Sequence, residues 1–333
     1  MRVFYSDQHH AHDPPGQFNV DRMGAYSECP GRATSILDAL RKSSAHQIDP
    51  PADYETSILR TVHDDEYIRF LQEAWSVWSG TGWSIPLIPY TFAHRYALHQ
   101  SADIIARAGY FGFDPQTPIV AGTFDAAWAS ARCALTAADL VRKGEPVAYA
   151  LCRPPGHHAA ADLYGGYCYL NNAALAAKKT GAKSAILDID YHHGNGTQTI
   201  FYDDPDVFTS SIHAHPDREY PFYSGCETET GAGNQTNFNI PLPPDVDDDD
   251  YIAALGSALD RIDRFNPVTL IVSAGFDTYF ADPLGDFNVG LEGFGRIGRC
   301  IRELGRPTVI VQEGGYHLEH LGECVDHFLG AWT

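Results

Sequence analysis

Short apolar runs alternate with helical patterns along almost the whole chain, and this alternation restricts the fold more than any other feature. Runs rich in Val, Ile, Leu and Tyr at Val3–Tyr5, Val147–Leu151, Ala185–Ile189, Val207–Ile212, Leu270–Ser273 and Val309–Val311 read as buried strands. Between them, Ile36–Arg41, Tyr67–Trp78, Ala126–Arg142, Ala173–Lys179, Tyr251–Arg264, Phe294–Leu304 and Leu318–Leu329 carry apolar residues at three-to-four spacing, the period of a helix face. Strands that are apolar throughout must be covered on both sides. The pattern therefore predicts an α/β fold, a parallel sheet flanked by helices on both faces.

The 333 residues show no repeat of solenoid period and no Ser/Gly or Pro linker, so residues 1–333 read as a single domain. The region 80–118, with GTGWSIPLIP and GYFGFDPQTP, lacks a sustained period and reads as a long loop insertion holding a short helix around Ala97–Ala108. The acidic run Asp247–Asp250 precedes a helical pattern and suits a helix start, where carboxylates meet the positive end of the helix dipole.

Charge and cysteine usage exclude whole classes of function. A formal charge of −20 repels phosphate backbones and anionic membranes, which argues against nucleic acid or membrane partners and could steer a cationic substrate. Seven Cys without a CxxC make neither a disulfide framework nor a thiolate zinc site. Cys152 and Cys168 are read as small apolar packing residues. With no signal-like leader and no run of about 18 apolar residues, a cytoplasmic protein is expected.

Four polar clusters directly follow expected strands: RPPGHH at 153–158, DIDYHHGNGT at 188–197, GFD at 275–277 and EGGY at 313–316. In an open parallel sheet the carboxyl ends of strands face one crevice, so these loops should converge there. Asp190 and His192 are two apart, face the same way on an extended strand end and could chelate one ion, with Asp277 as a third ligand. An isolated Asp-x-His is ordinarily a satisfied strand end. In this company, an Asp/His/Asp set of oxygen and nitrogen donors suits Zn²⁺ with one position left open. His157 and His158 could divide proton transfer, Asp188 could hold one imidazole N–H, and Tyr316 could donate to an oxyanion. Gly166, Tyr167 and Phe222 could wall a narrow substrate channel.

Together, RPPGHH, GGYCYLNNAA, DIDYHHGNGTQ, SIH, GFD with DPLG, and EGGY resemble the histone deacetylase and acetylpolyamine amidohydrolase family, over nearly the whole chain. The resemblance implies a central eight-stranded parallel sheet and zinc-dependent hydrolysis of an N-acetyl amide. It implies Asp190, His192 and Asp277 as zinc ligands, His157 and His158 as the tandem catalytic histidines, and Tyr316 as the residue that polarises the acetyl carbonyl. Asp188, with Asp190, His192 and Ser211, matches a structural K⁺ site. Asn195 stands where many class I deacetylases carry Asp, which is similar to the class II and acetylpolyamine branches. The 80–118 region resembles the acetylpolyamine branch, whose loop helps build a homodimer and constricts the mouth. In one respect the chain departs from it: Ile105 stands where an acidic residue is expected, with Asp103 on another helical face. Acetylpolyamines are thus the expected substrates, with protein or free acetyl-lysine the alternative and a binuclear-metal ureohydrolase a distant one.

Overall fold

The computed structural model describes residues 1–18, 23–43, 45–93, 99–181, 183–232 and 235–333. Eight strands form one sheet: β1 (Arg2–Phe4), β2 (Gln47–Asp49), β3 (Val147–Ala150), β4 (Ser184–Asp188), β5 (Val207–Ala214), β6 (Asn237–Leu242), β7 (Thr269–Ala274) and β8 (Thr308–Gln312). Their spatial order is β2-β1-β3-β8-β7-β4-β5-β6, and every neighbouring pair is parallel. Parallel pairing requires a crossover between strands, which helices supply except from β5 to β6, where the described residues form turns.

Successive side chains leave a strand on opposite faces, so each strand feeds two cores. In β4, Ile186 joins one hydrophobic layer while Ala185 and Leu187 join the other; in β8, Val309 and Val311 oppose Ile310. The first layer is closed by α2 (Asp65–Gly80), α3 (Ile104–Phe111), α4 (Thr123–Arg142), α5 (Asn172–Thr180) and Phe201 of α6 (Asn195–Phe201). The second is closed by α1 (Gly31–Ser43), α7 (Asp248–Phe265), α8 (Leu291–Glu303) and α9 (Leu321–Leu329). Both cores are apolar, and each buried Leu, Ile or Phe side chain contributes roughly 1.5–3 kcal/mol.

The sheet and its two helical layers agree with the sequence reading, with three corrections. Two edge strands, β2 and β6, carry no apolar run and lie outside the six runs read from sequence. The helix expected at Ala97–Ala108 runs from Ile104 to Phe111 instead, because Asp103 stops it on the N-terminal side: its carboxylate accepts the N–H groups of Ile105 and Ala106. Ala97 and Leu98 lie outside the described residues. The last helix begins at Leu321 rather than Leu318. Asp247 caps α7 through the N–H groups of Asp249 and Asp250, as the acidic run predicts. Among the described residues, no helix is long and apolar enough to cross a membrane.

Candidate active site

The carboxyl ends of β3, β8, β7 and β4 are consecutive in the sheet, so the four polar clusters meet in one crevice. Asp190, His192 and Asp277 bring one potential ligand atom each to within 4.8 Å of one another. His192 Nδ1 lies 3.0 Å from Asp277 Oδ2 and 3.4 Å from Asp190 Oδ1. The remaining carboxylate oxygens are tied down by backbone: Asp277 Oδ1 accepts the Tyr191 N–H at 2.9 Å and Asp190 Oδ2 accepts the Gly314 N–H at 2.7 Å. Such bonds fix the direction in which the free lone pairs point.

The chemistry of this donor set fits a divalent cation. Burial and the neighbouring Asp190 charge push Asp277 up to about 7, whereas Asp190, despite burial, is held far below the usual range by His157 and His192. Two carboxylates and an imidazole converging this closely make the mixed oxygen and nitrogen donor set that a divalent cation takes. Gly314 leaves the space for one: a Cβ there would stand 2.5 Å from the Oδ2 atoms of both Asp190 and Asp277.

The adjacent histidines are in opposite electrostatic surroundings although their ring centroids are only 4.0 Å apart. Burial disfavours the His157 imidazolium, but the Asp190 and Asp188 carboxylates outweigh it and lift its pKa to about 10. Its Nδ1 donates to Asp188 Oδ2 at 3.0 Å, and its Nε2 lies 3.8 Å from Asp190 Oδ1. His158 is held well below its usual value by burial, then by the positive charge of His157 and His192. Its Nδ1 pairs with Asn195 Oδ1 at 2.7 Å. An amide oxygen accepts but brings no charge, so His158 is neutral with Nδ1–H donated and Nε2 left as the basic nitrogen.

Tyr316 is 9% exposed, and burial raises its phenol well above 10, so it is a donor at neutral pH. The Arg32 guanidinium lies over its ring, 4.7 Å from the centroid. Arg32 also donates to the carbonyls of Glu313 and Gly315, and Asp282 accepts the Tyr316 N–H at 2.6 Å. Tyr316 is thus gripped on its face and on both sides of its backbone.

A cavity of about 270 Å³ is lined by His158, Gly166, Tyr167, His192, Phe222 and Tyr316, among others. Gly166 lies against the His158 ring with φ +56°, and a Cβ there would come 2.1 Å from His158 Cδ2, so both the backbone angle and the space require glycine. Tyr167 and Phe222 each have φ 66°, a costly backbone state for a side chain of that size, and both face the cavity.

Ser211 is the register partner of Asp188 on the adjoining strand, and its hydroxyl lies 2.7 Å from His213 Nδ1. Ile105 is half-buried against the first core layer. Asp103 spends its carboxylate on the helix cap. Residues without a role in the sequence reading also enter the site. Glu313 is fully buried, accepts the N–H groups of Gly156 and His157, and is pushed up to about 7 by burial. With His157 and Cys168 it makes a second convergent cluster. Buried Glu28 pairs with Arg32 at 2.7 Å and Arg153 at 3.0 Å, and Arg153 donates to the carbonyls of His9, His12 and Glu28. Of these, Glu313 and Arg153 carried a signal, as the first residues of EGGY and RPPGHH after expected strands.

A model of the histone deacetylase domain matches residues 26–332. The chain is similar to acetylpolyamine amidohydrolase 1 of Pseudomonas aeruginosa, 41% identical over 97% of this chain and 96% of that protein. It is also similar to the acetylpolyamine amidohydrolase of Burkholderia pseudomallei, 39% identical over 100% of this chain and 98% of the relative. A crystal structure of acetylpolyamine aminohydrolase from Burkholderia pseudomallei superposes with a TM-score of 0.95 at 38% identity, covering 100% of this chain and 98% of that one. The fold, the convergent strand ends and these likenesses together establish that the chain belongs to the histone deacetylase domain family.

Proposed function

We propose that the protein is a zinc-dependent deacetylase of small N-acetylated amines, with acetylpolyamines as its leading substrates. The observation that carries this reading is that the Asp190/His192/Asp277 cluster, the open Nε2 of neutral His158 and the protonated Tyr316 belong to one crevice beside a cavity with aromatic walls. Likeness to two bacterial acetylpolyamine amidohydrolases supports the substrate class.

Asp190, His192 and Asp277 would hold Zn²⁺, which when bound supplies Lewis acidity toward water and the acetyl carbonyl. His158 Nε2 takes the proton that water loses as it adds to the acetyl carbon. Asn195 keeps the proton on the other nitrogen. The Tyr316 hydroxyl donates to the oxygen that becomes negative in the tetrahedral intermediate, held in direction by Arg32 and Asp282. His157, charged and fixed by Asp188, stabilises that negative charge. The proton gathered at His158 then passes to the departing amine, and the cycle closes. Tyr167 and Phe222 grip the aliphatic part of the substrate. Asp188 and Ser211, with backbone carbonyls of Asp190 and His192, would hold a structural K⁺ through oxygen donors. A homodimer through the 80–118 region and a cytoplasmic location complete the proposal.

The test is kcat/KM of the zinc-loaded protein for acetylputrescine and acetylspermidine beside an acetyl-lysine peptide. The polyamines are expected to be preferred; a clear preference for the peptide overturns the substrate class while leaving the chemistry. In the same assay Tyr316→Phe should lower kcat by about 10²–10³ with bound zinc retained. Full activity in that variant overturns the oxyanion role.

A further inference from the structure

The cavity beside the site is walled by rings, amides and Leu284, and among its described lining residues Glu219 brings the one carboxylate. Glu219 is half-buried in the turn that follows β5. That turn is locked: the Arg218 and Glu219 N–H groups both bond to the His215 carbonyl, and the Phe222 N–H bonds back to the Glu219 carbonyl. The Tyr220 hydroxyl donates to buried Asp114 at 2.7 Å, which fixes the next residue along.

The Glu219 carboxylate is bonded by neutral donors, and the Arg218 guanidinium feels its charge but bonds elsewhere. Glu219 Oε1 accepts the Tyr220 N–H at 2.9 Å and its Oε2 lies at 3.5 Å from the Tyr191 hydroxyl. Among the described residues it makes no ion pair. Arg218 turns instead to Asp286, at 2.8 Å. Phe222, 52% exposed, lines the same cavity, and the face of an aromatic ring attracts an ammonium group. The 80–118 region offers no substitute on α3, since Ile105 is apolar and the Asp103 carboxylate is engaged in capping.

We propose that Glu219 is a specificity-determining residue that receives the distal ammonium group of the substrate and repels an anionic tail. The proposal rests on the deacetylase reading for its acyl end but concerns only the far end of the chain. Substrates with an aliphatic spacer ending in a cation are therefore selected over neutral and anionic ones of equal length. A carboxylate bonded to a charged donor is the stronger kind of hydrogen bond, and partial exposure weakens it.

Three acetamides of matched spacer test this: N-(5-aminopentyl)acetamide, N-pentylacetamide and 6-acetamidohexanoate. Hydrolysis and, by calorimetry, equilibrium binding of each are measured for the zinc-loaded protein, for Glu219→Gln, and for Asp217→Asn as a control. Asp217 is exposed and is absent from the cavity lining, so its variant makes the same change in net charge elsewhere. In Glu219→Gln the cationic-to-neutral ratio of kcat/KM and of affinity should fall about tenfold through KM, and the anionic compound should bind better than before. An unaltered ratio in Glu219→Gln overturns the proposal, as does an equal fall in Asp217→Asn. If the parent protein binds the compounds in this order yet hydrolyses none, the deacetylase reading fails and the role of Glu219 stands.

Discussion

The floor and the mouth of the crevice are built by opposite means. On the floor, Asp190, Asp277, His157 and His158 are buried, stand at the ends of central strands, and have almost every polar atom held by a named partner. At the mouth, Phe222 is half exposed, Tyr223 fully so, and positions come from turns rather than from the sheet. The difference teaches where each property of the protein resides. On the proposed reading, charge placement that must be accurate is delegated to the scaffold, and recognition of what varies between substrates is left to loops.

The largest break in this comparison comes from the floor. Asp277→Asn keeps the shape but replaces the charged carboxylate of the proposed metal set with a neutral amide, and should lower kcat/KM by at least about 10³-fold together with bound zinc, as measured by metal analysis of the dialysed protein. An Asn variant that retains stoichiometric zinc and rate would show that the charge of Asp277 is dispensable.

A smaller effect reaches the floor through its supports. His63 Nε2 accepts the Asn171 N–H at 3.0 Å, and its Nδ1 faces the Ala161 carbonyl, so it ties together the two segments that follow the histidine pair. Burial lowers its pKa to about 4 from an ordinary 6.5. The unfolded chain therefore binds a proton that the folded one refuses, and stability present above pH 6.5 is lost as pH falls from there toward 4. The loss is about 1.4 kcal/mol per pH unit from this group. Thermal melts across that window should show a shallower pH slope for His63→Gln than for the parent; parallel slopes would remove His63 from the account.

The mouth gives the smallest change. Phe222→Ala should raise KM for an acetylated diamine by about threefold, since the ring is half in water and loses only part of its burial energy, while kcat stays near the parent value. A fall in kcat as large as that from Tyr316→Phe would erase the distinction between floor and mouth.

The same division explains what could be read from the chain alone. Floor residues follow apolar runs directly, so the sequence alone assigns Asp188, Asp190, Asp277 and Glu313 each to a strand end. The edge strands escaped because their patterns are not apolar: β2 is the three-residue QID, and β6 buries Asn237 and Asn239, both of which donate to Gln198. The Glu28–Arg32 pair, four residues apart, escaped because nothing in its local pattern says that it is buried, and RPPGHH gives no sign that Arg153 reaches back to Glu28. Glu219 sits in HPDREYPFYSG, a stretch whose composition says turn and nothing about which side chain faces the cavity. The branch-related carboxylate expected near Ile105 illustrates the converse, since a helix cap used the one acid nearby.

The central place of β8 has a consequence for how the molecule comes into being. It is the last strand in sequence, yet it alone joins β2-β1-β3 to β7-β4-β5-β6. Until Thr308–Gln312 has been synthesised, the nascent chain holds two sheet fragments, each with an unpaired edge running through what will be its centre. Open edges of this kind are templates for wrong pairing. Glu313 and Tyr316 arrive on the same short stretch, so closure of the sheet and completion of the crevice are a single event. A chain cut before residue 308 should therefore be aggregation-prone as well as inactive.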